Sequence, residues 1–447
     1  MTNLASAPAR ETHAPHPNRR ARKAALAGFL GSALEYYDFF IYTTAASLVF
    51  SHVFFTSDTP TVALIQSFAV LGVGYVFRPF GAFLFGHLGD RIGRRNTLVA
   101  TLTLMGIATF SIGLLPTYEQ AGIWAPIMLT LLRILQGISA GGETAGASSL
   151  SIEEAPVGRR AFFGSFTATG LSAGMVLSTA VFIPIQAMDA VARDAWGWRI
   201  PFLASLIVLI FAYVVRRTLD ESSEFTRHRQ DTSFTSTGRV PFWLMLRTHP
   251  IPFISVALMS VQILIYTYLQ GFGIAFATQI GTVAPTTILT ALAVGNLIAI
   301  GTQPWLALLA DRIGRKPVAI TGQAVSGILV FPFFHSLSTG NVPLIYLTTA
   351  LIVGFSYAAA NSLFTSWFAE QFHARVRYSG LAVALQAGAL IAGFSPTIGA
   401  ALVNGEPSRW MVGASVAAIG AGLAVVGSLI ARETYRTPLG ELGNPVA

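Results

Sequence analysis

The chain has 447 residues, 53% hydrophobic and only 11% charged, with a net charge of +8 and no cysteine. A soluble protein carries about a quarter charged residues, so this composition and a mean hydropathy of +0.61 exclude a soluble globular domain and point to a polytopic membrane protein. The arginines lie between apolar runs and not on one basic face, which excludes nucleic acid as the partner, and without cysteine there is neither a disulfide framework nor a thiolate metal site.

Taken in order, residues 1–23 are polar and end in the basic cluster Arg19, Arg20, Arg22 and Lys23, which predicts a disordered tail. The apolar run that follows is too long for a signal-peptide core and lacks a small-residue cleavage site, so it reads as an uncleaved first helix. Twelve spans are predicted, at 24–50, 62–85, 97–115, 124–148, 161–186, 200–219, 250–277, 286–309, 317–336, 342–366, 379–403 and 410–431. Each is near the roughly 20 residues that a helix needs to cross a bilayer. Helices are required, because backbone in hydrocarbon must satisfy its own hydrogen bonds and the alternation of barrel strands is absent. The longest polar interruption is Asp220–Arg247. The expected fold is therefore an all-α membrane protein of twelve transmembrane helices in two six-helix bundles. These are residues 24–219 and 250–431, with a cytoplasmic linker at 220–249 and a cytoplasmic tail at 432–447. Lysine and arginine crowd one set of loops, whereas the other set holds only Arg193, Arg199 and Arg409. The positive-inside rule then puts both termini in the cytoplasm.

Between the second and third spans lies Gly86-His87-Leu88-Gly89-Asp90-Arg91-Ile92-Gly93-Arg94-Arg95, read as a tight turn at the membrane surface. Its glycines let two helices approach and the chain reverse. Asp90 can cap the third helix and pair with a basic neighbour. An echo, Leu309-Ala310-Asp311-Arg312-Ile313-Gly314-Arg315-Lys316, follows half a chain length later, so the halves look like two copies of one unit. Two further loops repeat. Glu154 and Arg159 follow the fourth span, and Glu370 and Arg375 follow the tenth, each acid five residues before its arginine. Asp90, Arg91, Arg94, Glu154, Arg159, Asp311, Arg312, Arg315, Glu370 and Arg375 are the candidate gate, expected to meet when the opposite side is open. His87 and His335 read as ordinary loop and span-end residues.

The stretch G-x-L-x-D-R-x-G-R-R resembles the loop signature of the major facilitator superfamily. Glu35-Tyr36-Tyr37-Asp38-Phe39, Phe77-Arg78-Pro79-Phe80-Gly81, Arg133-Ile134-Leu135-Gln136-Gly137, Gly141-Gly142-Glu143, Trp196-Gly197-Trp198-Arg199-Ile200-Pro201-Phe202 and Arg377-Tyr378-Ser379-Gly380 resemble its metabolite:proton symporter branch. Within that branch the chain is most similar to shikimate permeases, with relatives for α-ketoglutarate, citrate and proline/betaine. The resemblance implies two six-helix bundles, a central cavity, alternating access and proton-coupled uptake. It also implies that Arg133 matches the fourth-helix arginine linked to proton coupling.

The residues themselves point the same way. Glu35 and Asp38 lie three apart on one helix face, near the middle of the first span. Arg78, Arg133 and Glu143 fall in the second and fourth spans. Ionisable groups inside a membrane are costly and normally face a cavity and pair. Two arginines against three carboxylates leave one negative charge, so one bound proton neutralises the set. That suits a buried carboxylate, Glu35 or Asp38, which takes up and releases a proton near neutral pH with Arg133 modulating it. Arg78 and Arg133 are also the candidates for a substrate carboxylate, since guanidinium is a planar two-pronged donor. Tyr36, Tyr37, Gln136, Tyr266, Asn296, Tyr357, Asn361 and Gln386 are the polar cavity candidates, with Tyr42, Tyr268, Gln270 and Gln303 behind them.

A nucleotide-driven pump is disfavoured: neither Lys23 nor Lys316 ends a G-x-x-x-x-G-K-[ST] loop. No constellation of an enzyme is visible, and no metal or cofactor is expected. The remaining alternatives are a proton-coupled drug antiporter, disfavoured because no Gly-Pro occurs in the fifth span, and a receptor that binds without transporting. The sequence reading is a monomeric proton symporter whose partners are a small organic acid, protons and the bacterial inner membrane.

Overall fold

The computed structural model describes residues 17–57, 59–92, 94–141, 155–156, 158–217, 250–373, 376–438 and 441–442. The chain there is helical throughout. The long helices are α1 (Pro17–Leu48), α2 (Pro60–Val76, then Arg78–Ile92), α3 (Arg94–Gly113), α4 (Trp124–Gly141), α5 (Arg160–Gln186) and α6 (Arg199–Arg217). They are followed by α7 (Pro250–Ile280), α8 (Pro285–Ile313), α9 (Arg315–Thr339), α10 (Val342–Glu370), α11 (Arg377–Val403) and α12 (Trp410–Ile430). Among the described residues, eight helices are long and apolar enough to cross a membrane. Large apolar side chains point outward from them, such as Phe83 at 74% exposure and Trp305 at 75%. Such a surface suits contact with lipid.

Several boundaries differ from the sequence expectation. The first helix begins at Pro17, so residues 17–23 are helix and not disordered tail. Pro suits the first turn, where its missing N–H has no partner to lose. The stretch 86–95 is not a surface turn: α2 runs on to Ile92 and α3 starts at Arg94. Its echo behaves alike, with α8 ending at Ile313 and α9 starting at Arg315 around Gly314, whose φ of +112° needs glycine. Besides the break in α2, two of the long helices carry π-helical turns. In α7, π-helical turns cover Leu269–Gly273 and Phe276–Ile280, and in α10 another covers Ala350–Tyr357. Such turns frequently mark functional sites. The expected linker 220–249 and Glu143 lie outside the described residues.

The packing repeats with an offset of six helices. In the first half α1 lies along α5, α2 on α4 and α3 on α6; in the second α7 lies along α11, α8 on α10 and α9 on α12. The halves meet through α5 with α8 and α10, α2 with α11, and α1 with α7. We call the end at which α1 begins the near face and the opposite end the far face. Contact between α2 and α4 is backbone to backbone. A Cβ added at Gly137 would collide with the Gly74 carbonyl oxygen, and one at Gly141 with that of Arg78. This approach is what brings Arg78 and Arg133 into one place.

Candidate functional site

The centre of the molecule is built on the α1 run from Glu35 to Tyr42. Successive helical residues turn by about 100°, so neighbours in sequence face different partners. Tyr36 stacks on Phe40 (5.7 Å between ring centroids, 22°), and Phe40 meets Tyr266 of α7 edge-on at 5.4 Å. Tyr37 turns away: its hydroxyl donates to the Pro201 carbonyl (3.1 Å) and ties α1 to α6. It therefore stands apart from the other cavity candidates. Asp38 is 3% exposed and its Oδ1 has no hydrogen-bond partner. Glu35 is also buried.

Both intramembrane arginines converge beside α1. Arg78 is placed by the break in α2, because Pro79 has no N–H to donate to the Tyr75 carbonyl and the helix restarts at Arg78. Its Cζ lies 4.2 Å from the Tyr75 ring centroid and 4.6 Å from that of Phe39. Arg133 is fully buried, with its Cζ 4.4 Å from the Phe39 centroid and 4.3 Å from that of Tyr42. Its Nη1 donates to Gln136 Oε1 (3.0 Å), and Gln136 Nε2 donates to Thr109 Oγ1 (2.8 Å). Gln136 thus braces Arg133 against α3. The sequence reading expected carboxylates to pair with these arginines. Among the described residues, no ion pair joins either one to a carboxylate, and aromatic rings flank them instead. Nε of Arg78 and Nε and Nη2 of Arg133 have no hydrogen-bond partner.

The second half contributes an aromatic and amide wall. Tyr266 stacks on Tyr357 (5.1 Å, 8°) and donates to Asn296 Oδ1 (2.7 Å), while Tyr357 donates to Asn361 Oδ1 (3.3 Å). Asn361 Nδ2 and the Oε1 of buried Gln386 on α11 are left unpartnered. Tyr75 bridges the halves through Thr267 Oγ1 (3.3 Å). Phe39, Phe40, Tyr75 and Thr267 were absent from the sequence-based candidates. Only the position of Phe39 inside the quoted run could have signalled it.

At the near face the halves are joined by an ionic cluster. Asp311 and Arg315 pair at 2.7 Å, four residues apart across the α8–α9 break. Asp311 also accepts from the backbone N–H of Ala161 (3.2 Å) and Phe162 (3.0 Å), at the start of α5 in the other half. A carboxylate there is favoured by the helix dipole. Glu370 accepts from Arg315 Nε (3.4 Å) and Nη2 (3.3 Å) and forms an ion pair with Arg160, whose Nε lies 3.2 Å from Oε1. The chain after α12, expected as a cytoplasmic tail, takes part in this cluster. Glu433 accepts from the backbone N–H of Arg315 and Lys316 (both 2.9 Å), Thr434 donates to Glu370, and Arg160 Nη2 donates to the carbonyls of Thr434 (3.0 Å) and Thr437 (2.8 Å). So the structure brings Asp311, Arg315 and Glu370 together and leaves Arg312 and Arg159 exposed. Arg160, one residue beyond the sequence candidate, makes the contact. Glu154 and Arg375 lie outside the described residues, as do the side chains of Asp90, Arg91 and Arg94.

Towards the far face, among the described residues, hydrogen bonds between the halves join uncharged groups. Gln279 Nε2 donates to the Ser47 carbonyl (2.5 Å), Ser47 Oγ to the Gly271 carbonyl (2.9 Å), and Gln270 Nε2 to Thr179 Oγ1 (3.1 Å). Gln303 reaches Ser172 (3.1 Å) closer to the centre. Among the described residues no group of His, Cys, Asp or Glu could hold a metal ion. The arrangement is a buried pair of cations, an unpaired carboxyl and aromatic walls, closed at each end by contacts between the halves.

Comparison with known proteins fits this geometry. The Major Facilitator Superfamily model matches residues 28–396. The chain is 36% identical over 421 residues to the shikimate transporter of Escherichia coli (strain K12), covering 93% of this chain and 96% of that protein. It is 31% identical over 437 residues to the proline/betaine transporter of the same strain, covering 94% and 85%. An inner membrane metabolite transport protein of that strain is 33% identical over 438 residues, covering 95% and 97%. Among solved structures, the proton:xylose symporter XylE bound to 6-bromo-6-deoxy-D-glucose superposes with a TM-score of 0.69 at 20% identity, covering 96% of this chain and 99% of that one.

Proposed function

The chain belongs to the Major Facilitator Superfamily, and on that premise we propose that it is a proton symporter which brings a small carboxylated metabolite, of the shikimate or dicarboxylate kind, into the cell. It is a secondary transporter of metabolites and not an enzyme, and a multi-pass protein of the inner membrane. The twelve helices form two bundles that rock against each other, and the surplus of Lys and Arg on near-face loops makes the near face cytoplasmic. The site then lies between the halves, as in other transporters of repeated design.

One observation carries the substrate class. Arg78 and Arg133 are buried beside each other with orphaned N–H donors and no carboxylate partner among the described residues. Buried donors without acceptors are rare in native proteins and call for a missing partner. A substrate carboxylate supplies both the acceptors and the counter-charge. Asp38, buried and unpaired at Oδ1, is the group that carries the proton. A monocarboxylate moving with one proton transfers no net charge, so the membrane potential, worth about 2.3 kcal/mol per charge at 100 mV, neither helps nor hinders it.

The test is uptake into proteoliposomes under an inside-alkaline pH gradient, with labelled shikimate, α-ketoglutarate, citrate and betaine in parallel. Accumulation of an acid that collapses with a protonophore is the expected result. If none accumulates, and an inside-acid gradient instead drives efflux of hydrophobic cations, the protein is an antiporter and the carboxylate role of the arginines falls. Substrate counterflow separates a transporter from a receptor.

A further inference from the structure

Phe39 occupies an unusual position between the two arginines. Its ring centroid is 4.6 Å from Cζ of Arg78 and 4.4 Å from Cζ of Arg133. Tyr75 covers Arg78 on another side at 4.2 Å, and Tyr42 covers Arg133 at 4.3 Å. Rings and cations therefore alternate as Tyr75, Arg78, Phe39, Arg133, Tyr42. The central ring is itself held edge-on by Tyr75 (5.2 Å, 88°) and Phe40 (5.3 Å, 84°).

A ring face attracts a cation through its quadrupole, and the attraction strengthens when water is excluded. A carboxylate partner would do more and less at once. It would cancel the charge and occupy the N–H donors. A ring stabilises the charge and leaves those donors unused, as is seen for Nε of Arg78 and for Nε and Nη2 of Arg133. Asp38 adjoins Phe39 in sequence, yet no ion pair links it to either arginine among the described residues, and its Oδ1 is unpartnered.

We propose that Phe39 is a positioning residue: its ring is a shared cation–π platform that keeps Arg78 and Arg133 together, charged and un-neutralised, so that the arriving carboxylate and not Asp38 becomes their counter-ion. This rests on the carboxylate reading given above. It adds that specificity for an anion depends on the electron density of a side chain that carries no polar atom.

The test replaces Phe39 with phenylalanines bearing one, two and three fluorines, which drain the ring's negative face while nearly preserving its shape. Counterflow without a pH gradient is read with the acid that accumulates in the uptake assay. The apparent KM rises stepwise, by roughly tenfold across the series, and the maximal rate stays within about twofold. Phe39→Leu matches the trifluorinated protein, and Phe39→Tyr behaves as the parent. A flat KM across the series overturns the inference, with Phe39 then only a packing residue. Arg78→Gln and Arg133→Gln keep the two readings apart. If they raise KM while the fluorine series is flat, the carboxylate site stands and the platform falls. If they leave KM unchanged, or if no acid accumulates at all, the carboxylate reading fails and takes the platform with it. Gel filtration in detergent verifies that each protein is folded.

Discussion

Glu370→Gln opens the near face. The carboxylate is fully buried and faces Arg315 and Arg160 at 3.2–3.4 Å, with Thr434 donating to it as well. An amide keeps the shape but removes the charge that, among the described residues, both arginines share. Removing one member of a buried ion pair costs about 3–5 kcal/mol, because the partner is left uncompensated. Arg160 belongs to α5 and Glu370 to α10, so this cost falls on the state in which the halves are joined. At 1.4 kcal/mol per tenfold, the near-closed state loses a factor of roughly a hundred to a few thousand relative to the near-open one. The absence of cysteine makes this measurable without background. Ala168 on α5 is fully buried in the apolar layer that both halves share. A cysteine placed there should react with a membrane-impermeant maleimide at least tenfold faster in Glu370→Gln than in the parent, in inside-out vesicles. Equal rates would refute the reasoning, and a rise confined to right-side-out vesicles would reverse the assigned orientation.

Asp38→Asn should abolish gradient-driven accumulation yet leave exchange at equal pH within about threefold, as measured in proteoliposomes; loss of both would move the proton to another group. Gln279→Ala removes a neutral contact worth about 1 kcal/mol, so it should favour far-face opening by only about fivefold in a labelling assay, and that effect should not change with salt. Gly137→Ala places a Cβ against the Gly74 carbonyl and should lower the melting temperature in detergent by several degrees, since overpacking costs about 1–3 kcal/mol.

The helices were legible because hydropathy is a local property and each apolar run lies within a few residues of an observed helix. Hydropathy reports depth in the bilayer, however, and not helix continuity. Residues 86–92 and 310–313 carry Asp90, Arg91, Asp311 and Arg312 and by sequence fall in loops, yet they continue α2 and α8 as helix. Arg78 and Arg133 stood out because charge inside a span is expensive. Their aromatic partners did not, because Phe39 and Tyr75 look like any other ring in a membrane helix until the packing of α2 on α4 is known. Tyr36 and Tyr37 are equivalent candidates by sequence, but one helical step sends them to different neighbours. In the near-face cluster the acid-to-arginine spacing pointed to Arg159, whereas the contact is made by Arg160, whose side chain faces the other half. Nothing in the composition of residues 432–437 announces that they hold α9 and α5 together.

That last segment has a consequence for how the protein is made. Glu433 and Thr434 follow α12, so every helix of both halves has left the ribosome before they do. Until then the N–H groups of Arg315 and Lys316 lack the carboxylate that receives them, and Arg160 lacks the two carbonyls that fix its guanidinium. The two bundles therefore enter the bilayer with their near-face seam only partly fastened, by the contacts of Asp311 with α5 and of Glu370 with Arg160. A stop codon or a rigid fusion at residue 432 would leave a fully inserted protein that never completes it.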